Sequence, residues 1–214
     1  MFSFFGKKQD AATERAETLS LFPLSTTVFP GGRLSLKVFE QRYYELAKRC
    51  ITSGEPFGVV TLSAGNEGSH EQSFAKVGTS VSVSSFDAPA PNIFVLDVVG
   101  QQRFEITATK KSENGLHKAR VRWIDAEPEI ALPPEYAQLA ELLKPIVEGV
   151  GEARFAPPFR LDDATWVGSR WTEILRVPPA IKQALLEIND PLLRLKTISQ
   201  LIARGQGDAA ASAH

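Results

Sequence analysis

The stretch from Leu19 to Leu62 constrains the fold more than any other part of the chain, because each of its pieces admits one local structure. Alternating residues lead into Val28-Phe29-Pro30-Gly31-Gly32, where a proline without an amide donor and two glycines tolerant of positive φ require a turn. Leu34, Leu36 and Val38 then alternate with Ser35 and Lys37, the pattern of a half-buried strand. A helix over about 40–52 follows, with Tyr43, Leu46, Ala47, Cys50 and Ile51 on one face. Glu40 stands at its start and Lys48 and Arg49 near its end, in accord with the helix dipole. Strand, turn, strand, helix, strand is the order that results.

Alternation continues to Asp125. Ala75, Val77, Thr79, Val81 and Val83 share one side of a strand that Gly78 interrupts, implying a bulge or a close backbone contact. Residues 87–92 are expected to form a loop. Ile93–Val99, apolar on both faces apart from Asp97, reads as a central strand. Asn114-Gly115 predicts a two-residue type I′ hairpin that pairs Glu113 with Leu116, Ile106 with Trp123 and Ala108 with Val121. That register puts Phe104, Ile106, Ala108, Val121 and Trp123 on an apolar face. Arg103, Glu105, Thr107, Lys118, Arg120 and Arg122 fall on the wet one, with Glu105 diagonal to Arg122.

Beyond the boundary at Glu127-Pro128-Glu129 the period becomes helical. Tyr136, Leu139, Leu142, Leu143 and Ile146 form a stripe, and Pro145 is expected to kink or end it. Asp162 or Asp163 caps a helix bearing Trp166, Trp171, Ile174 and Leu175. Pro179 opens another with Ile181, Leu185 and Ile188, and Asp190-Pro191 starts a last one lined by Leu192, Leu195, Ile198 and Ile202. Trp123, Trp166 and Trp171 are all expected in the core. The organisation expected is a flexible terminus over 1–17, a β-rich unit over 18–127, a helical unit over 128–204 and a disordered tail over 205–214.

At 214 residues, 43% hydrophobic and 23% charged, the chain can bury one substantial core or two small ones. Lys and Arg number 24 against 25 Asp and Glu, so no global field draws it onto nucleic acid or anionic lipid. Its one cysteine, Cys50, excludes an internal disulfide, and a cytoplasmic location is expected. Phe2, Phe4 and Phe5 beside Lys7 and Lys8 suit a frayed end better than a membrane anchor. No Gly-Lys-Ser/Thr phosphate loop and no Gly-x-Ser-x-Gly elbow occurs. His70, His117 and His214 lack metal-ligand spacing. No catalytic, metal or cofactor-binding residues are assigned, and no cofactor is expected.

Phe22-Pro23-Leu24, Val28-Phe29-Pro30-Gly31-Gly32, Phe39-Glu40-Gln41-Arg42-Tyr43, Phe57-Gly58-Val59-Val60, Val77-Gly78-Thr79 and Gly100-Gln101-Gln102-Arg103-Phe104 together resemble the N-terminal, substrate-engaging domain of Lon proteases. The resemblance implies an α+β fold: a small, curved PUA-like β-barrel with one inserted helix, then an α-helical bundle. It implies a stand-alone, non-catalytic module, without the ATPase loop or the protease Ser-Lys pair. Such a module recognises unfolded or exposed apolar polypeptide, or a protein partner, in protein quality control. Within the motif, Glu40, Arg42 and Tyr43 suit a structural tie at a helix end. The candidate contact loop, residues 151–160, interleaves Phe155 and Phe159 with Arg154 and Arg160; the same phenylalanines also suit a plug between the two units. The alternative is RNA or nucleotide binding through the barrel, on the strand face carrying Lys118, Arg120 and Arg122.

Overall fold

The computed structural model describes residues 17–67, 69 and 71–211, with side chains over 18–204 apart from the two gaps. The expectations for Phe2, Phe4, Phe5, His70 and His214 lie outside the described residues. Six strands are present: β1 Glu17–Leu24, β2 Arg33–Val38, β3 Phe57–Ala64, β4 Ser73–Ala90, β5 Ile93–Lys111 and β6 His117–Trp123. The inserted helix is α1 Gln41–Ser53. After the sheet come α2 Ala137–Val150, α3 Ala164–Ile174, α4 Pro179–Glu187 and α5 Pro191–Ala211. The α+β class, the curved sheet and the single inserted helix are as the resemblance implies.

The sheet order is β2-β5-β4-β3-β1-β6, and β6 pairs back onto β5, which curls the sheet into a partly closed ring. All neighbours are antiparallel except β1 and β3. β5 makes the closure possible because its length serves three partners: β4 along most of it, β2 from Phe94 to Val99 and β6 from Phe104 to Lys111. Gly100 lies where β2 gives way to β6. There the Pro30-Gly31-Gly32 turn takes up the vacant backbone groups, Gly31 N–H donating to Gly100 O and Gly100 N–H to Gly32 O, both at 2.9 Å.

α1 buries Tyr43, Leu46, Ala47 and Cys50 against Phe22, Phe57, Val59, Leu96 and Val98. Burial raises the Cys50 thiol to about 11, so it remains protonated at neutral pH. A second cluster gathers Leu19, Leu21, Val60, Ala119 and Val121 around Phe104. Gly78 is the predicted close contact, since a β-carbon there would meet Val59 O at 2.5 Å and the Phe104 ring at 2.7 Å. The helices form their own core around Leu143, Phe155, Val167, Trp171, Leu185, Leu195 and Ile198. Each large side chain so buried is worth ~1.5–3 kcal/mol.

Several local expectations are corrected. The β5–β6 hairpin has a three-residue loop, with Ser112 N–H donating to Leu116 O and Gly115 at φ +84°. Asn114 is not at positive φ, which a type I′ turn demands; its side chain instead accepts from Leu116 N–H. The register therefore sets Ile106 opposite Val121, Phe104 opposite Trp123 and Glu105 directly opposite Arg122, with a bulge before Ala108 facing Arg120. Residues 87–92 are strand to Ala90, then a tight turn in which Asn92 takes φ +61°. α2 buries Leu139, Leu143 and Val147 and runs past Pro145, leaving Leu142 and Ile146 exposed. α5 continues to Ala211, past residue 205 where the tail was expected to begin: extending a formed helix needs no new nucleus.

Candidate functional site

Three completely or nearly buried arginines organise the contact between sheet and helices. Arg103 on β5 is 3% exposed, against its expected place on a wet face. Alternation fixes the side on which it points, but that side is covered by α4, whose Leu186 carbonyl accepts from Arg103 Nη1 at 2.6 Å. Glu127 pairs with Arg103 Nη2 at 2.8 Å and with Arg194 Nη1 at 2.6 Å. Arg194 of α5 also donates from Nε to Leu185 O at 3.0 Å, and its guanidinium lies 5.1 Å from the Phe29 ring centre. The boundary segment thus carries a carboxylate locked between two cations.

Arg170 and Glu173 of α3 grip the Pro30-Gly31-Gly32 turn. Arg170 Nη2 donates to Pro30 O at 2.8 Å, Glu173 Oε1 accepts from Phe29 N–H at 2.9 Å, and the two side chains pair at 3.3 Å. Glu173 is almost wholly enclosed, and burial pushes its carboxyl up although Arg170 pulls it down. From the other side the loop after α2 is stitched onto the turn: Arg33 N–H donates to Arg154 O at 3.0 Å and Ala156 N–H to Gly31 O at 2.8 Å. Sequence reasoning missed Arg170 and Arg194. The available signal was a charge inside an apolar stripe, Arg170 falling between Trp166, Val167 and Trp171.

The stitched loop separates its four candidate residues. Phe155 is fully buried in the helical core, its ring edge-on to Trp166 at 6.2 Å and 5.3 Å from the Arg170 guanidinium, which is the plug between the units that its sequence also suited. Phe159 is 41% exposed, its ring centre 6.2 Å from that of the same Trp166. Arg160 pairs with Glu129 and, at 3.9 Å, with Asp163. Asp163 is also the cap of α3, accepting from Thr165 N–H at 2.8 Å. Arg154 projects away from these, towards the end of α3.

An open cleft of about 560 Å³ lies where sheet and helices meet. Ile124, Pro157, Pro158 and Trp166 give it apolar walls, and Gln101, Gln102, Glu129 and Arg160 line its polar side. A second recess, of about 550 Å³, lies between α2 and the loop after α3. The alternative face is on the outside of the ring: Arg120 and Arg122 are exposed and Lys118 half-buried, with Arg122 paired to Glu105. Arg42 is the predicted helix-end tie, bound to Glu40 at 2.9 Å and to the carbonyls of Ser69 and Gly115. His117 is half-buried against Phe74, and burial lowers its pKa. Among the described residues no group of three His, Cys, Asp or Glu could hold a metal ion, and no helix is long and apolar enough to cross a membrane.

A curled barrel locked to a helical unit by buried ion pairs, with open apolar-walled recesses at and near the joint, defines a binding domain. The family model of the ATP-dependent protease La (LON) substrate-binding domain matches residues 18–204, and the chain belongs to that family. The crystal structure of a Lon N-terminal domain protein from Xanthomonas campestris is similar, at 32% identity and TM-score 0.71 over 87% of this chain and 98% of that one. The N-terminal domain of the Mycobacterium avium complex Lon protease shares the fold at 16% identity and TM-score 0.60, over 85% and 96%. No match was found among curated proteins.

Proposed function

We propose that this chain is a non-catalytic module that binds unfolded or exposed apolar polypeptide in the cytoplasm, as part of protein quality control. The observation that carries the reading is the cleft at the joint. Its walls of Ile124, Pro157, Pro158 and Trp166, with Phe159 exposed beside Trp166, offer apolar surface to a guest. Aromatic and arginine side chains dominate interface energies, and a pre-ordered loop loses little entropy on binding. The loop is pre-ordered here because its backbone is bonded to Gly31 and Arg33. Family membership supports polypeptide as the guest class.

The test is a fluorescence titration of a carbamidomethylated, permanently unfolded protein against its native form. The unfolded form is expected to bind and the native form to bind far more weakly, and Phe159→Ala is expected to weaken binding about tenfold with the melting temperature unchanged. Equal binding of both forms, or of neither, sinks the reading.

A further inference from the structure

α2 carries two apolar ridges, and only one is used by the core. Leu139, Leu143 and Val147 are buried, while Leu142, Ile146 and Val150 are 41%, 37% and 41% exposed. Ile146 and Val150 form one wall of the second recess, and Ile174, Leu175 and Val177 form the other. Its charged lining is mostly cationic: Arg154, Arg176 and Lys182, with Glu173 as the single acid. Glu173, however, turns its carboxylate inward to Phe29 N–H and Arg170. What it offers the recess is its backbone carbonyl, which accepts from Lys182 Nζ at 2.8 Å and from Arg154 Nη2 at 3.5 Å.

Two cations therefore converge on one carbonyl in the last turn of α3, at the partly negative end of that helix, beside an apolar wall. Burial, followed by the charge of Arg154, holds the Lys182 ammonium below its ordinary range, with Glu173 opposing. An anion placed between Arg154 and Lys182 relieves their repulsion and gains charge-assisted hydrogen bonds. The apolar walls decide what carries that anion. A phosphodiester backbone brings charge without apolar groups, whereas a peptide brings both within one or two residues.

We infer that this recess binds polypeptide in which a carboxylate stands next to apolar side chains. The carboxylate sits between Arg154 and Lys182, and the apolar side chains rest on Ile146, Val150 and Val177. The inference rests on the reading of the chain as a polypeptide-binding module and adds a charge preference that the cleft at the joint does not supply.

The test uses the full chain and two fluorescein-labelled short peptides of leucine, serine and glycine, one with three aspartates and the other with asparagines in their place. The aspartate peptide is expected to bind about tenfold more tightly, a difference that falls with added salt. Arg154→Gln with Lys182→Gln is expected to abolish the preference. Because Lys182 also bonds a helix end, Val150→Asp serves as a second variant at an open surface position and is expected to weaken the aspartate peptide selectively. Equal binding of the two peptides overturns the inference while leaving the general reading intact, provided the unfolded protein still binds. Competition by a mixed RNA oligonucleotide, together with indifference to replacing leucine by serine, overturns it in favour of a nucleic-acid site. If neither peptide nor unfolded protein binds, the general reading itself fails.

Discussion

Glu173 reaches so far into the turn at Gly32 that a β-carbon on that residue would stand 1.9 Å from its Oε1. Neither group can yield cheaply. The carboxylate is held by Phe29 N–H and Arg170, and the turn is bonded to Gly100 on one side and to Arg154–Ala156 on the other.

Gly32→Ala is therefore expected to cost ~2–4 kcal/mol, since the added methyl forces either the ion pair or the turn to move. Glu173→Ala in the wild-type background is expected to cost ~3–5 kcal/mol by leaving Arg170 buried without its partner. Combining the two is expected to cost clearly less than their sum, because both act on the same contact. Urea midpoints of the three variants check this; simple additivity would show that the clash is relieved elsewhere.

Stability is expected to depend on pH through Glu173. Its folded-state pKa lies above the ordinary 4.5 because burial penalises the carboxylate. Between 4.5 and the raised value the folded chain binds more protons than the unfolded chain, so this group's contribution is full below about pH 4.5 and is lost as pH rises through the folded value. Glu173→Gln keeps an acceptor for Phe29 N–H and removes the titration. The stability difference between wild type and this variant should shift in the variant's favour from about pH 4 to 8; a difference that is flat, or moves the other way, contradicts the assignment.

The two phenylalanines of the contact loop are expected to part company. Phe155→Ala empties a fully enclosed site and should cost ~3–5 kcal/mol, whereas Phe159→Ala should stay within about 1 kcal/mol. Calorimetric melting of the single variants separates them, and similar losses would mean that Phe159 is part of the core.

Glu127→Ala is expected to be among the most damaging single changes, at ~3–5 kcal/mol, because it leaves both Arg103 and Arg194 enclosed without a counter-charge. A denaturation midpoint close to wild type would show that the backbone carbonyls around these arginines suffice.

Much of the architecture was legible because turn chemistry and alternation agreed, as at Pro30-Gly31-Gly32 and along α1. What the sequence concealed is tertiary in origin. Periodicity could not choose between Leu143 and Leu142 ridges on α2, since both are apolar and only the packing of α3 decides. Asn114-Gly115 fits two loop lengths, and the bulge before Ala108 then moves the pairs further out. Residues 151–160 were expected near the junction of the two units, and their backbone is bonded there to Gly31 and Arg33. That Phe155 turns in and Phe159 out follows from backbone bonds to Gly31 and Arg33, which leave no trace in composition. Arg103 showed its side but not its cover.

The stitch from Arg154 to Ala156 has a mechanical consequence. Arg154 borders the recess under α2 and Ala156 borders the cleft beside Trp166, so the two hollows are only two residues apart along the chain. The Arg154 carbonyl is bonded to Arg33 N–H and the Ala156 amide to Gly31 O, so both ends of this segment are fixed to the turn. The two hollows therefore share a strip of wall whose backbone is anchored to the turn at Pro30-Gly31-Gly32.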